Sequence, residues 1–255
     1  MTLIDNQNEG KGSDYISHSS GSLNDGDSKW GYDLYPERKQ GRSKLPEISS
    51  TLFNYQWKQL SKCEKSIYNV VKTSHLVRLL LNALKSAGCE VDIRRHFTCE
   101  KCDESVTGGY DTEMNQIVIC QNTATSDSHV QGVLIHELIH MFDYCTAKID
   151  FKNIDHLACT EIRAANLAHC SFLSAWIQGA ANPFHFKKSH QYCVKEKAMR
   201  SVMAAQNVTE AIAMAAVERV FSKCYNDLEP IGRRIRRNSC DMERAYNESY
   251  LYGYM

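Results

Sequence analysis

The run from Val133 to Phe142 is apolar at every position except His136, Glu137 and His140, and it reads as one buried helix. Residues four apart on a helix lie one above the other on the same face. His136 and His140 therefore offer two imidazoles to a single metal ion, while Glu137, one residue round, reaches a water at that ion. The apolar flanks fix the histidines and keep bulk water out. The bland alternative is a core helix with two partly buried histidines and a surface glutamate. The His-Glu-x-x-His spacing points instead to a zinc-dependent peptidase.

A catalytic zinc takes three protein ligands and leaves one position open. A third histidine six residues beyond His140 would need a glycine at position 143 and a histidine at position 146. The chain has Asp143 and Thr146 there, so that class is excluded. The other common solution is a glutamate from a following helix. Glu161 is the best placed, because the small residues around it (Ala158, Ala164, Ala165) let its helix pack closely on the histidine helix. Its competing roles are a surface residue or a partner of Arg163. Asp143 shares the face of His136 and His140 and is expected either to orient a ligating imidazole or to pair with Arg163. His156 and His169 are left as packed or capping residues. With Zn2+ acidifying a water and polarising a carbonyl, Glu137 would take the proton from the attacking water and deliver it to the leaving amine. The strand expected at Asn115–Cys120 is the expected edge along which a peptide adds.

Charge and hydropathy narrow the remaining classes. Lys+Arg and Asp+Glu both number 30, so no net charge points to nucleic acid or acidic lipid. A hydrophobic fraction of 43% supports a real core. The richest apolar window, His75 to Ala87, is broken by Arg78, Asn82 and Lys85 and reads as a soluble helix rather than a membrane span.

Three segments are expected. Residues 1–50 are rich in Ser, Gly, Asp and Asn and are read as disordered. Residues 51–231 form the globular domain, and 232–255 a basic, Tyr-rich tail read as a solvated appendage. Within the domain, Ser74 caps a helix that carries Leu76, Val77, Leu80, Leu81 and Leu84 at helical period and stops at Gly88. Glu90–Phe97 and Asn115–Cys120 read as strands, with Gly108-Gly109 as a turn or bulge. The active-site helix is expected from Ser128 to about Thr146, then helices at roughly 154–178, 190–206 and 209–226. Sheet and helices are segregated, which makes the fold class α+β: a zincin-like small mixed sheet on the active-site helix, followed by further helices.

Eleven cysteines is a high count, and ten lie between Cys63 and Cys224. Cys99 and Cys102 have the spacing of a zinc knuckle, but no second such pair follows, and the scatter of the rest favours disulfides. Cys240 makes the count odd. The N-terminus has no apolar h-region and carries acidic residues, unlike a signal peptide or a transit peptide.

These pieces together resemble a known family. They are Gly108-Gly109-Tyr110, Ile117 to Asn122, His136 to Cys145, Ile149 to Asn153, His156 to Ala165, and Cys224 to Asp227 with Pro230. They look like the mitochondrial inner-membrane and intermembrane-space metalloproteases required for ATP synthase assembly, whose animal members are also described as Ku-binding proteins. The resemblance covers roughly residues 60 to 230. It implies a protease acting on proteins of that compartment, peripheral association with the inner membrane, and contact with ATP synthase assembly components. It also implies import through an oxidative disulfide relay, which would account for many cysteines without a presequence. The family's zinc ligands carry over to His136, His140 and Glu161, and its catalytic base to Glu137.

The competing reading is a non-proteolytic assembly chaperone or Ku-linked adaptor that keeps the zinc fold, in nucleus or cytosol; it should tolerate loss of Glu137. A nucleic-acid-binding zinc protein rests only on Cys99, Cys102 and the arginine cluster, and zero net charge argues against it.

Overall fold

The computed structural model describes residues 50–170, 186–235 and 239–254. The expected disordered segment lies almost wholly outside them, as does the end of the helix expected to reach residue 178. Helix α1 (Ser50–Thr73), to which the sequence pattern assigned no element, buries Cys63, Ile67 and Val70 at helical spacing. Ser74 then caps α2 (His75–Ser86) by accepting from the Val77 N–H at 3.4 Å. The Leu76, Val77, Leu80, Leu84 stripe is buried, and Gly88 ends the segment with φ +86°, a conformation that favours glycine.

The strand expected at Glu90–Phe97 is displaced. Asp92 accepts from the Arg94 N–H with its side chain (2.8 Å), and its own N–H donates to the His96 ring (2.8 Å). These local bonds fold the short helix α3 (Ile93–His96), so strand β1 starts only at Phe97 and runs to Glu100. Gly108-Gly109 is not a turn but the start of β2 (Gly108–Asp111), followed by β3 (Gln116–Cys120). The sheet order is β1-β3-β2, with β1 parallel and β2 antiparallel to β3. The strand expected to be an edge is therefore central, and the edges are β1 and β2. Gly108 is required by close approach: a Cβ there would stand 2.3 Å from Val133 Cγ1 and 2.6 Å from the Val118 carbonyl oxygen. Without side chains at this point, β2 can lie against the histidine helix.

That helix, α4 (Asp127–Thr146), is capped by Ser126. It is followed by α5 (Ile154–Ala164), which continues as a π-helical turn (Ala165–His169). Next come α6 (Phe186–Gln206) and α7 (Glu210–Asn226). The described part of the basic tail is no appendage: Ile235, Met242 and Ala245 are buried, and α8 (Cys240–Glu248) packs on α2. Arg78 donates to the Tyr246 hydroxyl at 2.6 Å, and Arg234 donates to the Asn166 side-chain oxygen at 2.9 Å.

The described residues bury two main hydrophobic cores. The first joins α1, α2, the sheet, α4 and α8; the second joins α5, α6 and α7. Disulfides close both. Cys63–Cys99 and Cys89–Cys145 tie the first, Cys159–Cys224 and Cys170–Cys193 the second, and Cys102–Cys120 forms a small third cluster with Val118. Cys99 and Cys102 thus take separate partners and form no zinc knuckle, while Cys240 is free and exposed. Among the described residues no helix is long and apolar enough to cross a membrane.

Candidate metal centre

The seam between the two cores holds the site. His136 and His140 project from α4, and Glu161 reaches them from α5. Their ligand atoms all lie within 4.8 Å of one another. The two Nε2 atoms are 3.0 Å apart, and Glu161 places Oε2 3.4 Å from His136 Nε2 and Oε1 3.4 Å from His140 Nε2.

Hydrogen bonding fixes what these atoms can do. The Thr160 hydroxyl donates to Asp143 Oδ2 at 2.6 Å, so its single proton is spent. His140 Nδ1, 2.8 Å from the same hydroxyl oxygen, must then be the donor. That tautomer leaves His140 Nε2 with a bare lone pair. His136 has its Nδ1 2.9 Å from Nε2 of His169; with the proton of that bond on His136 Nδ1, His136 Nε2 is left free for the site. Glu161 Oε2 is buried and has no hydrogen-bond partner among the described residues. Three acceptors thus converge on one point with no donor between them, an arrangement that suits a cation and is costly without one. The nitrogen and oxygen donors of this set match those of a catalytic metal site with a remaining open position.

Burial would push the Glu161 carboxyl up, but the two facing imidazoles outweigh it and hold the group well below the usual carboxylate range. Glu137, only 6% exposed, behaves oppositely. Burial pushes its pKa up to about 7, the His136 side chain opposes the shift, and the Glu161 charge adds to it. It lines the same cleft as His136, His140 and Glu161. A carboxyl poised near neutrality beside three metal-type ligands can take and return a proton.

Asp143 is buried beside the site. It pairs with Arg163 through Nη2 at 2.9 Å and Nε at 3.1 Å, and it touches His140 only through Thr160. Burial pushes the Asp143 carboxyl up, against Arg163 and Thr160, which favour its charged form. Arg163 also contacts Asp227 and donates to the Glu229 carbonyl at 2.6 Å, next to a cis Glu229–Pro230 bond. Sequence reasoning missed Thr160 and set aside His169. Thr160 lies one residue before Glu161, and His169 two helical turns further on, but nothing in spacing alone shows that they face the imidazoles. His156 stays outside the site, where its Nδ1 accepts from the Asp150 N–H at 3.2 Å.

The cleft over this centre has a volume of about 460 Å³, within the range of sites that hold a small ligand or a few side chains. Strand β2 forms one wall through Gly108, Gly109 and Tyr110.

Comparison with known proteins agrees with this chemistry. Residues 61–232 match the peptidase M76 family. The mitochondrial inner membrane protease ATP23 homologue of Xenopus laevis is 43% identical over 223 residues, covering 86% of this chain and 92% of that protein. The homologue from Homo sapiens is 42% identical over 205 residues, 78% of this chain and 79% of its own. Mitochondrial inner membrane protease ATP23 of Saccharomyces cerevisiae is 32% identical over 212 residues, 79% and 89% respectively. No solved structure is significantly similar. The protease is favoured over the non-proteolytic assembly factor or Ku-linked adaptor. With its converging ligand set and this similarity over most of its length, the chain belongs to the peptidase M76 family and is a metallopeptidase.

Proposed function

We propose that the chain is a zinc-dependent endopeptidase with His136, His140 and Glu161 as metal ligands and Glu137 as general base. The observation that carries this is the convergence of two free imidazole lone pairs and an orphaned carboxylate oxygen beside a glutamate with pKa raised to about 7. Zinc, when bound, supplies Lewis acidity at that point. Glu137 takes a proton from the attacking water and returns it to the leaving amine. The Asp143–Thr160 pair holds the His140 ring, and His169 holds that of His136. The outer edge of β2 is where an extended peptide adds alongside the sheet.

The substrates are proteins of the mitochondrial intermembrane space or inner membrane, and the enzyme resides in the intermembrane space, peripheral to that membrane. The names of the relatives support the inner-membrane setting, and five disulfides among the described residues support an oxidising compartment. A part in ATP synthase assembly is supported by the family resemblance.

The test is zinc content and peptide turnover of protein purified without reductant. Glu161→Ala should lose the metal. Glu137→Gln should keep it and lose turnover by about 10²–10⁴-fold, the usual worth of general acid–base catalysis. Full zinc in the first variant, or full turnover in the second, overturns the assignment.

A further inference from the structure

An aromatic wall leads away from the metal centre, and the chemistry described above does not use it. Phe151, in the loop between α4 and α5, stands edge-on to His140 with ring centroids 6.3 Å apart. Tyr144 follows at 6.0 Å from Phe151, and Tyr110 at 6.1 Å from Tyr144 and 6.2 Å from Phe151. All three rings line the cleft, and Tyr144 remains 42% exposed. A contiguous apolar surface left open at the mouth of a site is a binding feature rather than core.

The wall is held rigid. The Gln206 side-chain amide, at the end of α6, donates to the Phe151 carbonyl at 2.9 Å and to the Lys152 carbonyl at 3.2 Å. Asp150 Oδ1 accepts from the Lys152 N–H at 2.9 Å, closing the loop on itself. The Tyr110 hydroxyl donates to Asn115 Oδ1 at 2.7 Å, which fixes that ring from the sheet side. A loop backbone and a Tyr110 ring fixed before binding reduce the entropy lost on receiving a ligand.

Its position matches the path of a peptide. Gly108 of β2 abuts Val133, one turn before His136, and Tyr110, two residues on, abuts Tyr144, one turn after His140. Strand β2 therefore runs along α4 past the ligands and towards the wall. An extended peptide advances about 3.3 Å per residue, so the 6.3 Å from His140 to Phe151 is about two residues.

We propose that Phe151, Tyr144 and Tyr110 form the specificity subsite of this peptidase, receiving a bulky aromatic or aliphatic side chain on a residue flanking the scissile bond. Gln206 is a positioning residue that acts through Phe151. The inference rests on the proposed peptidase chemistry for the location of the scissile bond, but the wall's preference can be read without turnover. Burial of a Phe-sized side chain predicts a roughly tenfold to hundredfold preference over Gly at the flanking position.

Two measurements on the zinc-loaded, oxidised full chain test this. The first is kcat/KM on a peptide set varied only at the residues flanking one bond, with Phe, Leu, Gly, Lys or Asp. The second is the affinity of Glu137→Gln protein for dipeptide hydroxamates bearing Phe or Gly next to the metal-binding group. The wild type should prefer Phe and Leu. Phe151→Ala should collapse the Phe-to-Gly ratio in both measurements, and Gln206→Ala should reduce it with Phe151 still present. Zinc content reports that each variant is folded. No preference, a preference for Lys or Asp, or a Phe-to-Gly ratio unmoved by both variants overturns the subsite. If the hydroxamates discriminate as expected while no peptide is cleaved, the wall stands and the peptidase chemistry fails.

Discussion

Thr160 is the residue whose removal should most clearly separate metal binding from folding. It is fully buried, and Val has nearly its shape, so Thr160→Val removes one hydroxyl and little packing. Two bonds go with it: the 2.6 Å donation to Asp143 and the 2.8 Å acceptance from His140 Nδ1–H. Asp143 keeps its contacts with Arg163 at 2.9 and 3.1 Å, so its charge stays compensated. The His140 N–H does not, and an unsatisfied buried donor costs about 1–3 kcal/mol. Loss of a partner that orients a ligating imidazole typically weakens metal affinity by about 10–100-fold, or roughly 1.4–2.7 kcal/mol, which agrees. The assay is zinc competition against a chromophoric chelator near neutral pH, on oxidised protein, for the wild type, Thr160→Val and Thr160→Ser. The serine variant keeps the hydroxyl and should recover most of the affinity. A valine variant within twofold of the wild type would refute the view that this hydroxyl sets the His140 tautomer.

Three further outcomes are expected. Gly108→Ala should lower both thermal stability and turnover, by about 1–3 kcal/mol in stability, and adding Val133→Ala should rescue it only in part because the Val118 carbonyl at 2.6 Å is backbone; paired melting curves check this. Removing Cys159–Cys224 by double substitution to Ser opens a 65-residue loop, worth about 4 kcal/mol on the chain-entropy model, and should also weaken zinc binding because Cys159 sits two residues from Glu161. The control is Cys102–Cys120, which is tied within the sheet and should affect stability more than zinc. For His190, burial lowers the pKa below 6.5, the Cys170 carbonyl 2.7 Å from its Nε2 opposes that shift, and Arg234 adds to it. The folded state then binds fewer protons than the unfolded chain, so this contribution is present above pH 6.5 and is lost as pH falls through 6.5 towards the lowered folded value. The melting temperature should drop across that window, and His190→Gln should flatten the drop.

What was legible in the chain was whatever depends on neighbours along it. The histidine helix announced itself because polar ligands sit in an apolar run at helical spacing, and the Ser74 cap because side chain and N–H are three residues apart. Glu161 stood out as the best-placed glutamate on a following helix of small residues, once Asp143 and Thr146 had excluded a third histidine, and its carboxylate does lie within 4.8 Å of both imidazoles. Failures came where a residue type has two physical uses. Glycine at 108 serves either a turn or a close approach, and only the helix lying across it decides. Asp92 can extend a strand or cap a turn, and its local bonds win. Strand order is set by long-range pairing, so β3 could not be told from an edge. Thr160 and His169 were missed because a hydroxyl or imidazole aimed at a ligand leaves no periodic trace.

The placement of the cross-links has a consequence for maturation. Among the described residues no disulfide joins the two main cores, and the candidate ligand set straddles both, with two histidines on one side and Glu161 on the other. Oxidation can therefore finish each half independently, while the seam between them is already joined by the buried Asp143–Arg163 pair and by Ala164, Leu167 and Ala168 packed into the first core. A chelator acting on fully oxidised enzyme should therefore loosen the seam only around the two histidines and Glu161, leaving both covalently closed halves docked through the Asp143–Arg163 pair.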